Sequence, residues 1–148
     1  MKKSLVALLS IMLISLQSFA GDSIRVYEGN SQSKCLFNIA NDRIYEGNSQ
    51  SKCLYSIDGA RLYEGNSHSK CLFNMKRGRV YAESGQSKCV LNIVKNKVYE
   101  GSGQSKCLFN ISGNRIYKGS GQSECLLNLT GTANDDPMLF IIIILHLS

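Results

Sequence analysis

The sequence predicts an all-β protein in which six β-hairpin repeats close into a shallow, roughly six-fold symmetric antiparallel barrel. An 18-residue unit recurs six times without a gap across residues 25–132, in copies that start at 25, 43, 61, 79, 97 and 115. Each copy contains two short segments of β-branched, aromatic and aliphatic residues, separated by polar turn formers. Six equal copies favour a closed sheet, because closure removes both exposed edges.

Each element of the hairpin follows from its composition. In copy one, segments 25–28 and 34–39 are predicted strands, and residues 29–33 form the loop between them. A three-residue turn, residues 40–42, is expected to connect one copy to the next. Helix is disfavoured, because Gly, Ser and Asn are frequent and no apolar period of 3.6 residues is present.

Charged pairs predict the register of the hairpin. Glu28 precedes the first loop and Lys34 follows it, and the same arrangement recurs in copies two, three and five. Copy six reverses both signs, with Lys118 and Glu124. A simultaneous reversal indicates a facing cross-strand pair, which stabilises a sheet by about 0.2–1 kcal/mol. Copy four has Ala82-Glu83 before its lysine, so we expect its loop to be shifted by one residue.

An unbroken ladder from this pair divides the hairpin into two faces. If Glu28 faces Lys34, then Tyr27 faces Cys35 and Val26 faces Leu36. The expected core face carries Arg25, Tyr27, Cys35, Phe37 and Ile39. The opposite face carries Val26, Glu28, Lys34, Leu36 and Asn38.

Residues 1–20 have the layout of a signal peptide, with an apolar run after Lys2 and Lys3 and cleavage expected after Ala20. We therefore expect an exported protein, periplasmic or extracellular, with residues 21–132 as its repeat domain. An uncleaved membrane anchor is the alternative.

Residues 133–148 form a polar linker and an apolar tail. The apolar part, residues 138–147, is too short to cross a bilayer as a helix, which needs about 20 residues. It is expected to form a last strand or to cover an edge. Alternatively, it inserts into a membrane or mediates self-association.

The charge balance of the chain excludes few classes of partner. The chain carries 17 basic and 11 acidic residues, for a net charge of +6, and the two signs alternate along each repeat. A nucleic-acid partner is not expected, because no basic stripe with aromatic stacking platforms is evident.

The recurring elements IYEGNS and CLFNI, and the stretch SGNRIYKGSGQSECLL, resemble the β-flower family of bacterial hairpin-repeat proteins. The resemblance implies a shallow symmetric barrel with an apolar central channel and splayed hairpins, and it implies no particular activity. The shape is similar to the Tubby-type barrel without its central helix, which indicates lipid or membrane contact only by analogy.

Six cysteines recur at one position of the repeat. Equivalent residues in successive copies lie two strands apart, about 9.5 Å, whereas a disulfide needs Cα atoms within about 4.4–6.8 Å. Buried reduced thiols are therefore predicted, and three disulfides in a strongly tapering barrel are the alternative. The residues are Cys35, Cys53, Cys71, Cys89, Cys107 and Cys125.

A basic residue opens every copy and would form a ring in a closed sheet: Arg25, Arg43, Arg61, Arg79, Lys97 and Arg115. It is interpreted as a solvated rim, or as a site for an anionic head group or glycan phosphate. His68 is the only imidazole in the repeats, and no paired carboxylates are unique to one copy, so neither catalytic residues nor metal or cofactor sites are predicted.

Two functions remain in competition. The first is an exported, non-enzymatic binding or interaction module of the cell envelope, which contacts lipid or another apolar ligand through a central channel. The second is a structural or self-assembling repeat protein without a small-molecule ligand. The repeats specify neither the ligand-binding residues nor the oligomeric state.

Overall fold

The computed structural model describes residues 23–130, which form twelve β-strands and no helix. The signal peptide predicted for residues 1–20, the tail of residues 133–148 and the sixth expected turn lie outside the described residues. Each copy contributes one four- or five-residue strand and one six-residue strand. The strands are β1 (Ile24–Glu28), β2 (Cys35–Ala40), β3 (Arg43–Glu46), β4 (Cys53–Asp58), β5 (Arg61–Glu64), β6 (Cys71–Lys76), β7 (Arg79–Ala82), β8 (Cys89–Val94), β9 (Lys97–Glu100), β10 (Cys107–Ser112), β11 (Arg115–Lys118) and β12 (Cys125–Thr130).

The twelve strands pair in chain order and the sheet closes between β1 and β12. The closing pair sets Tyr27 opposite Asn128 and Val26 opposite Leu129. This register is the same as that between copies one and two, where Tyr45 lies opposite Asn38. The predicted closed antiparallel barrel of six hairpins is confirmed, and its last junction is equivalent to the other five.

The two faces predicted for the hairpin are wrong beyond the first pair. Tyr27 does lie opposite Cys35, but Val26 lies opposite Phe37 because Leu36 is the extra residue of a β-bulge. The same irregularity occurs in all six hairpins. A bulge leaves one residue unpaired and bends its strand, so the residues that follow it change faces.

The turns between copies are also shorter than predicted. Ala40 pairs with Arg43, which leaves only Asn41 and Asp42 in the turn. The three-residue turn of the prediction is wrong, because the third unpaired residue of the repeat is the bulge residue of the second strand. The inward and outward alternation therefore continues from copy to copy in an 18-residue repeat.

The facing charges are where the sequence predicts them. Five lysine–glutamate pairs connect the two strands of a hairpin, and the reversed pair of copy six is among them. The Nζ–Oε2 distances are 2.7 Å for Lys34–Glu28, 2.6 Å for Lys52–Glu46, 2.5 Å for Lys70–Glu64, 2.8 Å for Lys106–Glu100 and 3.6 Å for Lys118–Glu124. The side chains are half-exposed or more, so each pair contributes little stability and chiefly favours this register.

The loop of copy four is not shifted. The Ala82 N–H donates to the Lys88 carbonyl at 2.9 Å, as the Glu28 N–H does to Lys34 at 3.0 Å in copy one. Glu83 therefore occupies the position that is glycine in every other copy, and it adopts φ +60° there. A side chain in this left-handed region is unfavourable, whereas glycine occupies it at no steric cost.

Apolar side chains fill the barrel in three layers. The middle layer is formed by position 2 of each copy, and all six of its side chains are 0% exposed: Val26, Ile44, Leu62, Val80, Val98 and Ile116. The Phe37-type residues pack on the loop side of this layer, and the Ile39-type residues pack on its turn side. The apolar channel that the resemblance implies is therefore not open to solvent at the middle layer. The predicted core face is wrong at Arg25, which is exposed, and at Tyr27 and Cys35, which are only half-buried. It is right at Phe37 and Ile39.

A buried polar residue occupies position 14 of each copy, and in five copies its side chain bonds a loop carbonyl of the following copy on the outside of the barrel. The Oδ1 atom of the sixth, Asn38, has no hydrogen-bond partner. The residue is Ser56 in copy two and asparagine in the other copies, and all six are at most 9% exposed. The Asn128 Nδ2 donates to the carbonyls of Gly29 and Ser31, at 2.9 and 2.7 Å. Asn74, Asn92 and Asn110 bond the next loop in the same way. Each of these loops therefore folds over the second strand of the preceding copy.

Replacing Glu83 with glycine is expected to stabilise the protein by about 1 kcal/mol, because it removes a side chain from a left-handed backbone position. Urea unfolding of the Glu83→Gly variant measures the effect. Glu83→Ala is the control, since it removes the charge but retains a Cβ atom. Equal stabilisation by both variants would show that charge, not backbone conformation, is responsible.

Replacing Asn128 with alanine is expected to destabilise the protein by about 1 kcal/mol or more, because two loop carbonyls lose their donor. Amide hydrogen exchange should increase most in β1 and β12, which the loop of copy one and Asn128 connect. The control is Asn96→Ala, which removes an exposed asparagine whose Nδ2 bonds the Ile111 carbonyl at 3.3 Å. A uniform increase around the barrel would argue against a local role in closure.

Candidate functional site

The thiols lie on the outer face beneath the loops. All six cysteines are unpaired and half-buried, less buried than the sequence predicts. Each Sγ lies near the carbonyl two residues ahead, and four of them also lie near the carbonyl of the glycine that begins the following loop. Cys125, for example, is 3.4 Å from the Gly29 carbonyl across the closing junction. The thiols therefore act as weak donors in the packing of the loops.

Charge is distributed unequally between the two ends of the barrel. The loop end carries six acidic and six basic side chains among the described residues. The other end, which holds the turns between copies, carries nine basic residues and only Asp42 and Asp58 as acids. We call these nine the turn-end rim: Arg25, Arg43, Arg61, Lys76, Arg77, Arg79, Lys95, Lys97 and Arg115. The whole formal charge of the described residues, +7, therefore lies at the turn end.

The turn-end rim includes the basic ring predicted from position 1. Five of those six residues are exposed, and Lys97 is half-buried. The three further residues are Lys76, the last residue of β6, and Arg77 and Lys95, which begin the turns after copies three and four. The structure thus places the predicted ring at one end and extends it on one side.

A groove opens on that side. It has a volume of about 570 Å³ and lies on the outer face, under the loop tips of copies four and five. Lys76, Arg77 and Arg79 contribute cations to its lining, and no carboxylate lines it. Tyr81, Gln86 and Gln104 add a phenol and two amides. We call this the basic groove.

Copy three has a second local departure from symmetry. The His68 ring stacks on Tyr63 with centroids 4.8 Å apart and a tilt of 32°. His68 Nδ1 also lies 3.9 Å from the Asp58 carboxylate. A side-chain hydrogen bond with Tyr63, together with the nearby phenol charge, raises the pKa of the Arg61 guanidinium. Tyr63 is consequently 7% exposed, whereas the equivalent tyrosines are half-buried.

His68 and Cys71 also line one groove, of about 550 Å³, together with Glu83. The Cys71 Sγ is directed to the Phe73 carbonyl at 3.5 Å. The His68 nitrogen that carries an ion-pair contact is directed to Asp58 instead. The arrangement therefore lacks the nucleophile–base contact that covalent catalysis requires.

Within residues 23–130, no group of three or more His, Cys, Asp or Glu side chains could hold a metal ion. The same part of the chain has no helix of the length and apolarity required to cross a membrane.

Comparison with known families identifies the architecture. A family model described as the 6-fold beta flower protein matches residues 24–144. The chain belongs to this family. The match covers all twelve strands, and the predicted β-flower assignment is confirmed. No curated protein and no solved structure matches the chain. The beta flower fold is not a known enzyme class.

Sequence reasoning about this beta flower found the basic ring and missed the basic groove. Lys76 and Arg77 are visible in the sequence, but their separation from Gln104 along the chain conceals that they share one groove. The asparagine hydrogen bonds were also missed, although an asparagine at position 14 in five of six copies was an available signal.

The absence of disulfides stays a prediction, and thiol alkylation tests it. The native protein is expected to react slowly, because the thiols are half-buried under loops. After denaturation without reductant, mass spectrometry should find six alkyl groups per chain, since equivalent cysteines lie about 9.5 Å apart. Reduced protein carried through the same steps is the control. A denatured chain that gains alkyl groups only after reduction would contain the three disulfides of the alternative.

Proposed function

We propose that this beta flower is an exported, non-enzymatic binding module of the bacterial cell envelope that docks through its turn-end rim onto an anionic membrane surface. The observation that carries the proposal is the separation of charge, with +7 at the turn end and zero at the loop end. Signal-like residues 1–20 support an envelope location.

A ring of cations suits a flat anionic surface. Each Lys or Arg close to such a membrane contributes about 1 kcal/mol of attraction. Because the rim residues surround one end of a shallow barrel, several can approach the surface together. An isolated basic residue elsewhere on the barrel would lack this cooperation.

Apolar side chains lie inside the turn-end rim. The turn-side core layer is only partly buried at four of its six positions, which are Ile57, Met75, Ile93 and Ile111. Cations around partly exposed apolar residues are typical of surfaces that lie at a membrane interface. This combination favours lipid over a purely polar anionic partner.

The barrel axis is a poorer binding site. The 0% exposed middle layer presents no solvent-accessible apolar surface to a ligand that approaches along the axis. Lipid contact, which the sequence-based hypothesis assigned to a central channel, is therefore assigned here to the surface of the turn end.

Vesicle co-sedimentation tests the proposal. The protein is expected to bind vesicles that contain phosphatidylglycerol and to ignore phosphatidylcholine vesicles. Binding should weaken between 25 and 150 mM salt, because the screening length then falls to about 8 Å. Neutralising Arg25, Arg43 and Arg115 together with glutamine should weaken binding by roughly 100-fold, at about 1 kcal/mol per charge.

The control removes the same charge from the other end, by changing Lys34, Lys52 and Lys106 to glutamine. This variant should bind as the unmodified protein does. Both variants retain residues 133–148, so the tail cannot account for a difference between them. Equal losses in the two variants would mean that net charge alone attracts the protein. Absence of binding by the unmodified protein would refute membrane docking.

A further inference from the structure

The basic groove is distinguished from its five equivalents by charge. Four repeat positions decide the charge of such a groove. Two of them, positions 16 and 17, belong to the preceding copy, and the other two, positions 1 and 16, belong to the copy itself. In the groove of copy four they are Lys76, Arg77, Arg79 and Val94, and no acid is among them. The groove of copy three combines Asp58 with Arg61 and Lys76 in its lining. At these four positions of the sequence, copy four alone has three cations and no carboxylate.

The turn that carries Arg77 requires a left-handed backbone at its first residue. Arg77 is the first residue of its turn and adopts φ +53°, where the turns after copies two and five have glycine. A non-glycine residue is unfavourable in this conformation unless its side chain can hydrogen-bond locally, as asparagine does. An arginine here brings its guanidinium to the groove at a cost in backbone energy. Lys95 adopts the same conformation in the next turn without lining the groove, so the turn sets this φ, and the position of the guanidinium is what distinguishes Arg77.

The other lining groups complement the cations. Gln86 and Gln104 come from the loop tips of copies four and five, and Tyr81 comes from β7. Their amides and phenol can donate and accept hydrogen bonds, as required to recognise hydroxyl groups. The 3.5 Å contact between Lys76 Nζ and Gln86 Oε1 brings one cation and one amide together.

We propose that the basic groove binds a phosphorylated polyol, with Lys76, Arg77 and Arg79 around the phosphate and Gln86, Gln104 and Tyr81 at the hydroxyl groups. Arginine recognises phosphate through two parallel hydrogen bonds, which a lysine ammonium does not provide. A groove of about 570 Å³ accommodates a molecule of this size. The inference rests on the proposed function in treating the turn end as the binding face, and it assigns a specific subsite there.

The same chemistry occurs in a free metabolite and in a phospholipid head group. Glycerol 3-phosphate therefore serves as the soluble probe, and vesicles with phosphatidylglycerol or phosphatidic acid serve as the lipid probe. Saturable binding of glycerol 3-phosphate by NMR titration, with shifts at Arg77, Gln86 and Gln104, is the expected result. Glycerol alone should not bind, and phosphatidic acid should compete if the natural source is a lipid.

Arg77→Gly is the decisive variant, because glycine suits a positive φ and the turn is expected to remain intact. Its affinity for glycerol 3-phosphate should fall about tenfold, the loss expected for one charge-assisted interaction. The matched control is Lys95→Gly, since Lys95 begins the next turn at φ +56° and does not line the groove. This variant loses the same charge and should change the affinity less than twofold.

The outcomes distinguish failure of the phosphate site in the basic groove from failure of membrane docking through the turn-end rim. Equal losses in the two variants would reduce the binding to general electrostatics and overturn the site. Failure of the unmodified protein to bind glycerol 3-phosphate would also overturn it, even where phosphatidylglycerol vesicles still bind through the rim. Saturable glycerol 3-phosphate binding without any vesicle binding would support the groove and refute the membrane surface.

Discussion

The core of the barrel depends on one extra residue in the second strand of each hairpin. Without the bulge at Leu36, Val26 would lie opposite Leu36, and Phe37 and Ile39 would share a face with Arg25. The bulge brings Val26, Phe37 and Ile39 to the same side, and their equivalents from six copies form three apolar layers. The middle layer is fully buried, and burial of a Val, Leu or Ile side chain contributes about 1.5–3 kcal/mol. The bend at each bulge also directs the loops away from the barrel axis.

Closure and loop packing reinforce one another. Because β1 pairs with β12 in the register of every other junction, no strand edge remains within residues 23–130. At five of the six junctions the buried side chain at position 14 bonds a loop carbonyl of the following copy. At the closing junction Asn128 bonds the carbonyls of Gly29 and Ser31, which lie 99 and 97 residues away along the chain. Such contacts between distant residues are costly to form and make the ring cooperative once it is closed.

Sequence differences between the copies indicate which surface is suited to binding, whereas six identical copies would indicate none. Positions that form the core vary little in character, whereas positions 16 and 17 change from Ala40-Asn41 to Lys76-Arg77 with the same strand pairing on either side of the turn. These positions lie at the turn end, where side chains are free to differ. The concentration of basic residues there, on one side of a symmetric scaffold, is the kind of variation that serves binding rather than folding.

The repeat period and the facing charges were enough to predict six hairpins, their first cross-strand pair and a closed barrel, because period and register are local properties of the chain. They were not enough to locate the bulge. An extra residue in the strand and an extra residue in the turn preserve the same 18-residue parity, and only packing against neighbouring copies distinguishes them. The predicted faces and the three-residue turn were wrong for this reason. The basic groove likewise required the folded barrel, since Arg77 and Gln104 are 27 residues apart in the chain and meet only where adjacent loops fold over the outer face.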